Sequence, residues 1–318
     1  MNTIEVKVTK KTKEADDIVS FELVPVAGSA LPAFTAGAHV DVHVGDGLIR
    51  QYSLYNNPEE THCYRIAVLR DPNSRGGSIT MHERLQEGTV VHISEPRNHF
   101  PLKEEGRSLL FAGGIGITPI LCMAERLSRQ GADFEMHYCG RSRERTAFVE
   151  RIAASPFADR VHFHFDDGAA EQKLDLPAVL GKGDAAKHLY VCGPAGFIDF
   201  VTNTAKQQAW AGDNVHLEHF GAAPQDTSGD TAFEVRIASS GQSFTVPADK
   251  SVLNVLEENG IDIPVSCEQG VCGTCITRVL EGVPDHRDLY FTDEEKEKND
   301  QFTPCCSRAK STVLVLDL

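Results

Sequence analysis

The stretch CEQGVCGTC, residues 267–275, decides how this chain is read: it sets three cysteines within nine residues, and Cys305 and Cys306 follow thirty residues later in TPCC. Cys267, Cys272 and Cys275 are spaced C-x4-C-x2-C with a distant fourth cysteine, the spacing of a plant-type [2Fe-2S] centre. Four thiolates must converge on two irons, and a tight loop can supply three of them. Gly270 and Gly273 let the backbone come close to the sulfides and aim N–H groups at them. Such hydrogen bonds stabilise an added electron and tune the potential. A structural zinc site is the alternative, but zinc sites are usually built from paired C-x2-C knuckles and only one such pair is present. Spacing alone leaves the fourth ligand open between Cys305 and Cys306.

The 318 residues suffice for two or three domains, and 41% hydrophobic with 24% charged residues is ordinary for a globular protein. There is no apolar run of membrane-spanning length. The opening MNTIEVKVTK alternates polar and apolar residues and reads as a strand rather than a signal peptide, so a cytoplasmic protein is expected. Thiols stay reduced there, which turns the nine cysteines toward metal or redox chemistry and away from disulfides. A net charge of -15 argues against nucleic acid or an anionic membrane as partner. From Asp230 to the end there are 16 acidic and 8 basic residues, a net of -8, so this segment is either a solvated surface or a docking face for a basic partner. Asp285, Asp288 and Glu268 lie near the cysteine loop and are the charges expected to matter for docking.

Working outward from the loop, residues 1–105 carry short strand signals (EVKVTK, IVSFELVP, HVDVHV, YRIAVLR, VVHISEP) separated by turn residues, the pattern of a small antiparallel barrel, with one helix in SITMHERLQ after the turn NSRGG. Residues 106–222 alternate apolar strands (SLLFAGG, DFEMHYCGRS, VHFHFDD, HLYVCGP) with helical stretches, which implies a parallel sheet covered on both faces. GAAPQDTSGDT is a linker, assigned to 223–230, and 231–318 holds a hairpin, a helix in SVLNVLEENG, the cysteine loop and a last strand, STVLVLDL. FAGGIGITP follows a strand and opens a helix, the context of a dinucleotide turn; Gly114 and Gly116 take its first two glycine positions, and Pro119 stands where the third would be.

Taken in order, RQYSLYN, AVLRDPNSRGGSITMHERL, RNHFPL, AGGIGITP, YVCGP, HLEHF and CEQGVCGTC…PCCSRAK resemble the phthalate dioxygenase reductase and vanillate demethylase reductase family, over nearly the whole chain. The resemblance implies a flavin-binding antiparallel β-barrel, an α/β nicotinamide domain and a C-terminal plant-type ferredoxin of the β-grasp class. It implies FMN, NADH and a [2Fe-2S] cluster as cofactors. Electrons would pass from NADH to FMN, then singly through the cluster to a separate terminal oxygenase, of the Rieske non-haem iron kind, from a monomeric reductase. It places Tyr52 along the isoalloxazine, Ser53 near its N5, and Arg50 on the phosphate, with Ala67, Val68 and Arg70 bordering ring and phosphate chain. Gly76 and Gly77 bring the chain round so that Ser78 opens a helix whose N–H groups suit a phosphate. Cys192 and Gly193 would face the nicotinamide, Thr118 would contact the same ring or the flavin, Phe220 would cover the flavin, and Arg141, Ser142 and Asp167 would lie on the adenosine side. In the family one cysteine stands two residues before SRAK, which makes Cys305 the fourth ligand; the doubled Cys306 departs from that pattern. FMN is expected over FAD because no aromatic is placed to stack on an adenine. NADH is expected over NADPH, although Arg141 is able to meet a 2′-phosphate.

Plainer readings stand beside these. Cys192 and Phe220 also fit a buried thiol and a core aromatic. His162 and His164 alternate on one strand with no third partner spaced nearby and read as sheet residues. Cys63, Cys122 and Cys139 fall in apolar patterns and read as core. An iron-sulfur redox sensor without reductase activity and a zinc-stapled binding module are the rival functions.

Overall fold

The computed structural model describes residues 3–28, 30–45, 48–72, 76–222 and 225–318. Ala223 and Pro224 of the expected linker, and Asn73, Ser74 and Arg75 of the expected turn, lie outside the described residues. The chain divides into two compact units, residues 1–220 and 221–318.

The first unit opens with an antiparallel sheet of β1 (Thr3–Ala15), β2 (Ile18–Pro25), β3 (His39–Gly45), β4 (Leu48–Ser53), β5 (Tyr64–Leu69) and β6 (Val90–Ser94), in the order β4-β3-β6-β1-β2-β5. A bridge between Leu54, just after β4, and Ile66 in β5 joins the two ends of the sheet and closes it. Alternation dictates the inside: Val6, Val8, Phe21, Leu23, Val40, Val42 and Ile66 are fully buried. The one helix of the barrel, α1 (Gly77–Arg84), is shorter than the stretch expected for it, because Leu85 already takes an extended conformation.

A parallel sheet of β7 (Arg107–Gly113), β8 (Phe134–Gly140), β9 (Val161–Phe165), β10 (Lys187–Cys192) and β11 (Val215–Glu218) has the order β11-β10-β7-β8-β9. The order reverses between β7 and β10, and the crevice beyond the carboxyl ends there is where such sheets bind ligands. Helices α2 (Ile117–Gln130), α3 (Val149–Ala153), α4 (Leu176–Leu180) and α5 (Ala195–Gln207) connect the strands. α2 has Pro119 in its first turn and stops at Gly131 (φ 65°), the residue that takes a left-handed cap without penalty. Its buried stripe, Ile117, Ile120, Leu121, Met123, Ala124 and Leu127, belongs to one apolar cluster continuous with the barrel interior, whereas Leu109, Phe111, Leu176, Val191, Ile198 and Val201 form a second cluster within the nicotinamide half.

The second unit is a mixed sheet of β12 (Phe233–Ile237), β13 (Ser243–Val246), β14 (Thr277–Glu281), β16 (Gln301–Phe302) and β18 (Val313–Leu316), with a two-residue pairing of β15 (Pro284–Asp285) and β17 (Arg308–Ala309). β12 and β18 run parallel and the other pairs antiparallel, with α6 (Val252–Glu258) packed on the sheet, as in a β-grasp domain. Ser251 and Asn254 cap α6 reciprocally, and Thr292 and Glu295 do the same for α7 (Asp293–Lys298). At the start of this unit Asp230 pairs with Arg287 and Arg308, which ties residue 230 to the ferredoxin fold.

Candidate functional site

Three groups of residues gather at the places the topology marks. On the barrel, Arg50 reaches from β4 to the start of α1. A Cβ placed on Gly77 would lie 2.7 Å from both Cγ and Nε of Arg50, so only glycine admits this arginine at the helix N-terminus. Gly76 is left-handed (φ 96°) and turns the chain into α1, whose first turn carries no acidic side chain. The Ser78 hydroxyl accepts from the Asp71 N–H at 3.1 Å. A guanidinium beside a helix N-terminus suits a phosphate monoester. Arg70 differs from expectation: its guanidinium is turned to Glu83 at 3.1 Å, so it is already partnered by a carboxylate on α1. Ala67 and Val68 are buried in β5, and burial also holds the Tyr52 phenol in its protonated form.

At the reversal of the parallel sheet, the backbones of β7 and β10 meet without side chains between them. A Cβ on Gly193 would stand 3.0 Å from the Gly113 Cα, and one on Gly116 would collide with the Cys192 carbonyl. Gly114 is left-handed (φ 53°), and its carbonyl accepts from the Tyr138 hydroxyl at 3.2 Å. This close approach of backbones is what the glycines of a dinucleotide turn permit. Phe197, in the first turn of α5, lies over both Gly113 and Gly193, a contact no sequence pattern pointed to. Thr118 is buried with its hydroxyl donated to the Ile115 carbonyl. At the outer strands the Asp167 N–H donates to the Arg141 carbonyl at 3.3 Å, so Arg141, Ser142 and Asp167 share the carboxyl ends of β8 and β9. Phe220 is 42% exposed, which leaves its ring available rather than packed in a core.

A residue that sequence reasoning missed joins the barrel to this crevice. Glu218 ends β11 in register with Cys192, and its carboxyl hydrogen-bonds to Ser53. The residue as a whole is half-buried, but its Oε2 has no solvent access and no hydrogen-bond partner. Burial pushes the Glu218 carboxyl up to about 8, so it is protonated at neutral pH. The Cys192 thiol is fully buried and is raised well above the ordinary range, first by burial and then by Glu218. Ser53, Cys192 and Glu218 thus form a set of neutral proton-bearing groups. A charged residue at the carboxyl end of a parallel strand, in HLEHF, is the signal that could have found it.

In the second unit the loop cysteines are arranged as two pairs. The Cys267 thiol hydrogen-bonds to Cys272, and the Cys305 thiol to Cys275. Within each pair the proton stays on one sulfur: the Cys267 and Cys305 thiols are raised, Cys275 is lowered, and the hydrogen bond from Cys267 holds Cys272 down to about 5. The Gln269 and Thr274 N–H groups each reach a loop sulfur, Cys267 and Cys272 respectively, at 3.4 Å. Two thiol pairs fit the two irons of a [2Fe-2S] centre. Gly270 (φ 72°) and Gly273 (φ 70°) are both left-handed; a Cβ on the first would collide with Cys306 Sγ, and one on the second with the Tyr290 ring. The Cys306 sulfur lies beside Gly270 and shares a hydrogen bond with Thr303 Oγ1 at 3.3 Å, and Cys305 hydrogen-bonds to both Cys275 and Cys306.

Three expectations change. Asp288 is buried, accepting from the Tyr290 and Phe291 N–H groups, and cannot serve as a docking charge; Glu268 is exposed. Asp285 is taken by Arg287 at 2.8 Å. His162 and His164 do have partners, because β8 brings His137 and Glu135 beside them: His137 bonds His164 at 3.0 Å, and Glu135 lies 3.3 Å from His162.

Residues 235–310 match the family model described as a 2Fe-2S iron-sulfur cluster binding domain. Over 317 residues the chain is 59% identical to a vanillate O-demethylase oxidoreductase of Pseudomonas sp. (strain HR199 / DSM 7063), covering 99% of this chain and 100% of that one. It is 43% identical to a phthalate dioxygenase reductase of Burkholderia cepacia, covering 99% and 97% of the two chains. The solved structure of phthalate dioxygenase reductase, described as modular for electron transfer from pyridine nucleotides to [2Fe-2S], superposes with a TM-score of 0.78 at 42% identity, over 100% of this chain and 98% of that one. An intact type IV self-sufficient cytochrome P450 monooxygenase superposes with a TM-score of 0.85 at 36% identity; the match covers 99% of this chain and 41% of that longer one.

Proposed function

The chain belongs to the family of phthalate dioxygenase reductase and vanillate O-demethylase oxidoreductase, and on that premise we propose that it supplies electrons to a Rieske-type oxygenase that demethylates a methoxylated aromatic acid of the vanillate kind. It is an NADH-dependent oxidoreductase with FMN and a [2Fe-2S] cluster, and an oxygenase is its electron acceptor. The observation that carries the electron-transfer reading is the pairing of Cys267 with Cys272 and of Cys275 with Cys305, in one chain with a flavin barrel and a nicotinamide sheet. The substrate class rests on a gradient. Three vanillate O-demethylase oxidoreductases are 59%, 56% and 48% identical to this chain, whereas relatives named for phthalate or carnitine are at 43% or below.

When bound, the nicotinamide supplies electrons in pairs, the flavin divides them, and the cluster hands them on singly. The residues of the chain bind, orient and control protons. Arg50 and the α1 N-terminus, with Gly76, Gly77 and Ser78, hold the phosphate of FMN. Tyr52, Ala67 and Val68 border its ring, and Ser53 with the protonated Glu218 presents hydrogen-bond donors at its edge. Gly114, Gly116 and Gly193 admit the dinucleotide, Cys192 and Thr118 line its nicotinamide end, and Arg141, Ser142 and Asp167 line its adenosine end. Phe220, whose side chain is exposed, would cover the flavin ring and give way to the nicotinamide. Cys267, Cys272, Cys275 and Cys305 hold the cluster. A cytoplasmic location accords with the nine cysteines, none of which is in a disulfide. A monomer accords with exposed large apolar side chains that are spread through the sequence of both units. No helix among the described residues is long and apolar enough to cross a membrane.

The test is reconstitution of the purified protein with vanillate-type and phthalate-type oxygenases. NADH-driven demethylation of vanillate at least tenfold faster than phthalate turnover is expected; equal or reversed rates overturn the substrate assignment. A preparation without flavin and iron-sulfur visible bands, or whose bands NADH does not bleach, overturns the electron-transfer reading. A higher kcat/KM for NADPH than for NADH would show Arg141 reading a phosphate.

A further inference from the structure

Beside the cysteine loop lies a buried polar pair that none of these roles uses. The segment that follows β15 packs against the loop: the Leu289 N–H donates to the Gly270 carbonyl at 3.0 Å, and a Cβ on Gly270 would stand 3.0 Å from the Asp288 Cα and 3.1 Å from its Cβ. In that segment the His286 side chain is 8% exposed and that of Asp288 is 0% exposed. Neither ring nitrogen of His286 has a hydrogen-bond partner, and neither does Asp288 Oδ1. His286 Nδ1 and Asp288 Oδ1 are 3.6 Å apart, too far for a hydrogen bond. The other carboxylate oxygen is satisfied by the Tyr290 and Phe291 N–H groups at 3.2 and 2.8 Å, which fixes Asp288 in place.

Three unpartnered polar atoms in one buried spot are costly. One proton on His286 would relieve two of them by turning the pair into a charge-assisted contact. The cations nearby are taken: Arg287 points to Asp230 and Asp285, Arg308 also points to Asp230, and Lys296 is spent on the Asp288 carbonyl oxygen. A titratable neighbour that faces Asp288 is the Cys306 thiol, lowered first by its hydrogen bond to Cys305 and then by Thr303 and Ser307; the His286 variants below separate its contribution from that of His286. The edge of the Phe291 ring meets His286 and keeps the pocket apolar. An electron added to a cluster in the adjacent loop puts negative charge into a medium of low dielectric, where a nearby proton-accepting group responds strongly.

We propose that His286, with Asp288 as its fixed counter-charge, is a proton-acceptor site linked to the cluster: one proton enters from solvent as one electron arrives, and leaves when the electron passes on. An N–H bond forms on His286 with a proton taken from solvent and breaks when that proton returns to solvent; no bond between heavy atoms changes, and the net charge of the loop region is the same in both redox states. The inference rests on the [2Fe-2S] reading of the loop. It identifies His286 as a positioning residue for charge rather than a ligand.

The experiment is a redox titration of the cluster in the full-length holoprotein, followed by its electron paramagnetic resonance signal, from pH 5.5 to 8.5. The expected result is a midpoint potential that falls as pH rises, approaching 59 mV per unit, the value of a tenfold shift per unit in a one-electron couple. His286→Gln and His286→Phe should assemble the same cluster with a potential indifferent to pH. Phenylalanine suits a pocket that offers the ring no hydrogen bonds. A wild-type potential indifferent to pH overturns the coupling, and a dependence retained in either variant overturns its assignment to His286. If both variants lose the cluster, the wild-type series decides alone: a sloping potential supports the coupling and a flat one ends it. Absence of any cluster in the wild-type protein would instead sink the reading on which the inference rests.

Discussion

Replacing Glu218 with Gln tests whether a neutral carboxyl is built into the junction of barrel and nicotinamide sheet. The Glu218 carboxyl is raised to about 8 from an ordinary 4.5, chiefly by burial. At about 1.36 kcal/mol per unit, keeping the proton on is worth roughly 5 kcal/mol between the limits, to within a unit or so of the shift. The sign follows from linkage. Below pH 4.5 both the folded and the unfolded carboxyl are protonated and the full stability is present. As pH rises toward 8 the unfolded chain releases its proton while the folded one retains it, so stability falls until the folded group also ionises. Buried histidines act in the opposite sense at lower pH. His39 and His216 are lowered to about 4 and His137 to about 3, so their contribution is lost as pH falls toward those values and is complete above the ordinary 6.5. The clean window is therefore pH 6.5–8. There the wild-type protein should lose about 2 kcal/mol, and E218Q should lose close to none. Trp210, the single tryptophan, is buried in the first unit, and its fluorescence during urea unfolding reads that unit alone. An equal slope in E218Q would show that the carboxyl is ionised in the folded protein and that the proposed donor beside Ser53 does not exist.

Three further outcomes are expected. Cys305→Ser should abolish the visible cluster bands, as Cys272→Ser should, while Cys306→Ser keeps them; the reverse would move the ligand by one residue. Gly77→Val should push Arg50 off the α1 N-terminus and weaken FMN binding about 10- to 100-fold, the range for one lost charge-assisted hydrogen bond, with Trp210 fluorescence unchanged; unchanged affinity in a flavin-quenching titration would remove Arg50 from the phosphate site. Electron transfer to the oxygenase should slow as salt rises and lose part of that dependence in Glu268→Lys, while FMN reduction by NADH changes little; stopped-flow traces indifferent to salt would reduce the acidic ferredoxin surface to a solubility feature.

The cysteine loop was legible because iron-sulfur chemistry imposes both residue type and spacing, and the strands of the barrel because alternation is a local property. Which thiol is the fourth ligand was not legible from spacing, since Cys305 and Cys306 are adjacent; the fold places the Cys306 sulfur beside Gly270 and the Cys305 thiol against Cys275, a difference that spacing does not carry. Asp288 was misread as a surface charge because a sequence shows charge but not the two backbone N–H groups that draw a carboxylate inward. Glu218 was passed over for a related reason. Its strand neighbour Cys192 carried a recognisable turn, whereas the meaning of a glutamate ending β11 depends on a register with β10 and on a serine more than 160 positions earlier. The histidine partners on β8 were missed because β8 and β9 are joined through a helix, and parallel pairing across such a connection leaves no fixed offset to look for.

The nine cysteines show how the same side chain is given opposite chemistry by its surroundings. A cluster needs thiolates, and within each loop pair one sulfur is already held toward the ionised form by a hydrogen bond from its neighbour, with backbone N–H groups reaching the sulfurs of Cys267 and Cys272. Elsewhere a thiolate would be a hazard, because it is the form that binds stray iron and reacts with oxidants. Burial is what prevents it: Cys63 is pushed up to about 11 and Cys122 and Cys139 to about 12, all by desolvation. Cys192 is the demanding case, since it must stand at the crevice where a redox cofactor enters and still remain a thiol. A fully buried position opposes its ionisation, and burial at the same junction keeps the neighbouring Glu218 carboxyl neutral at neutral pH. Opening this junction to water would therefore change both groups together, which is why an exposed mimic of either residue alone would not reproduce the site.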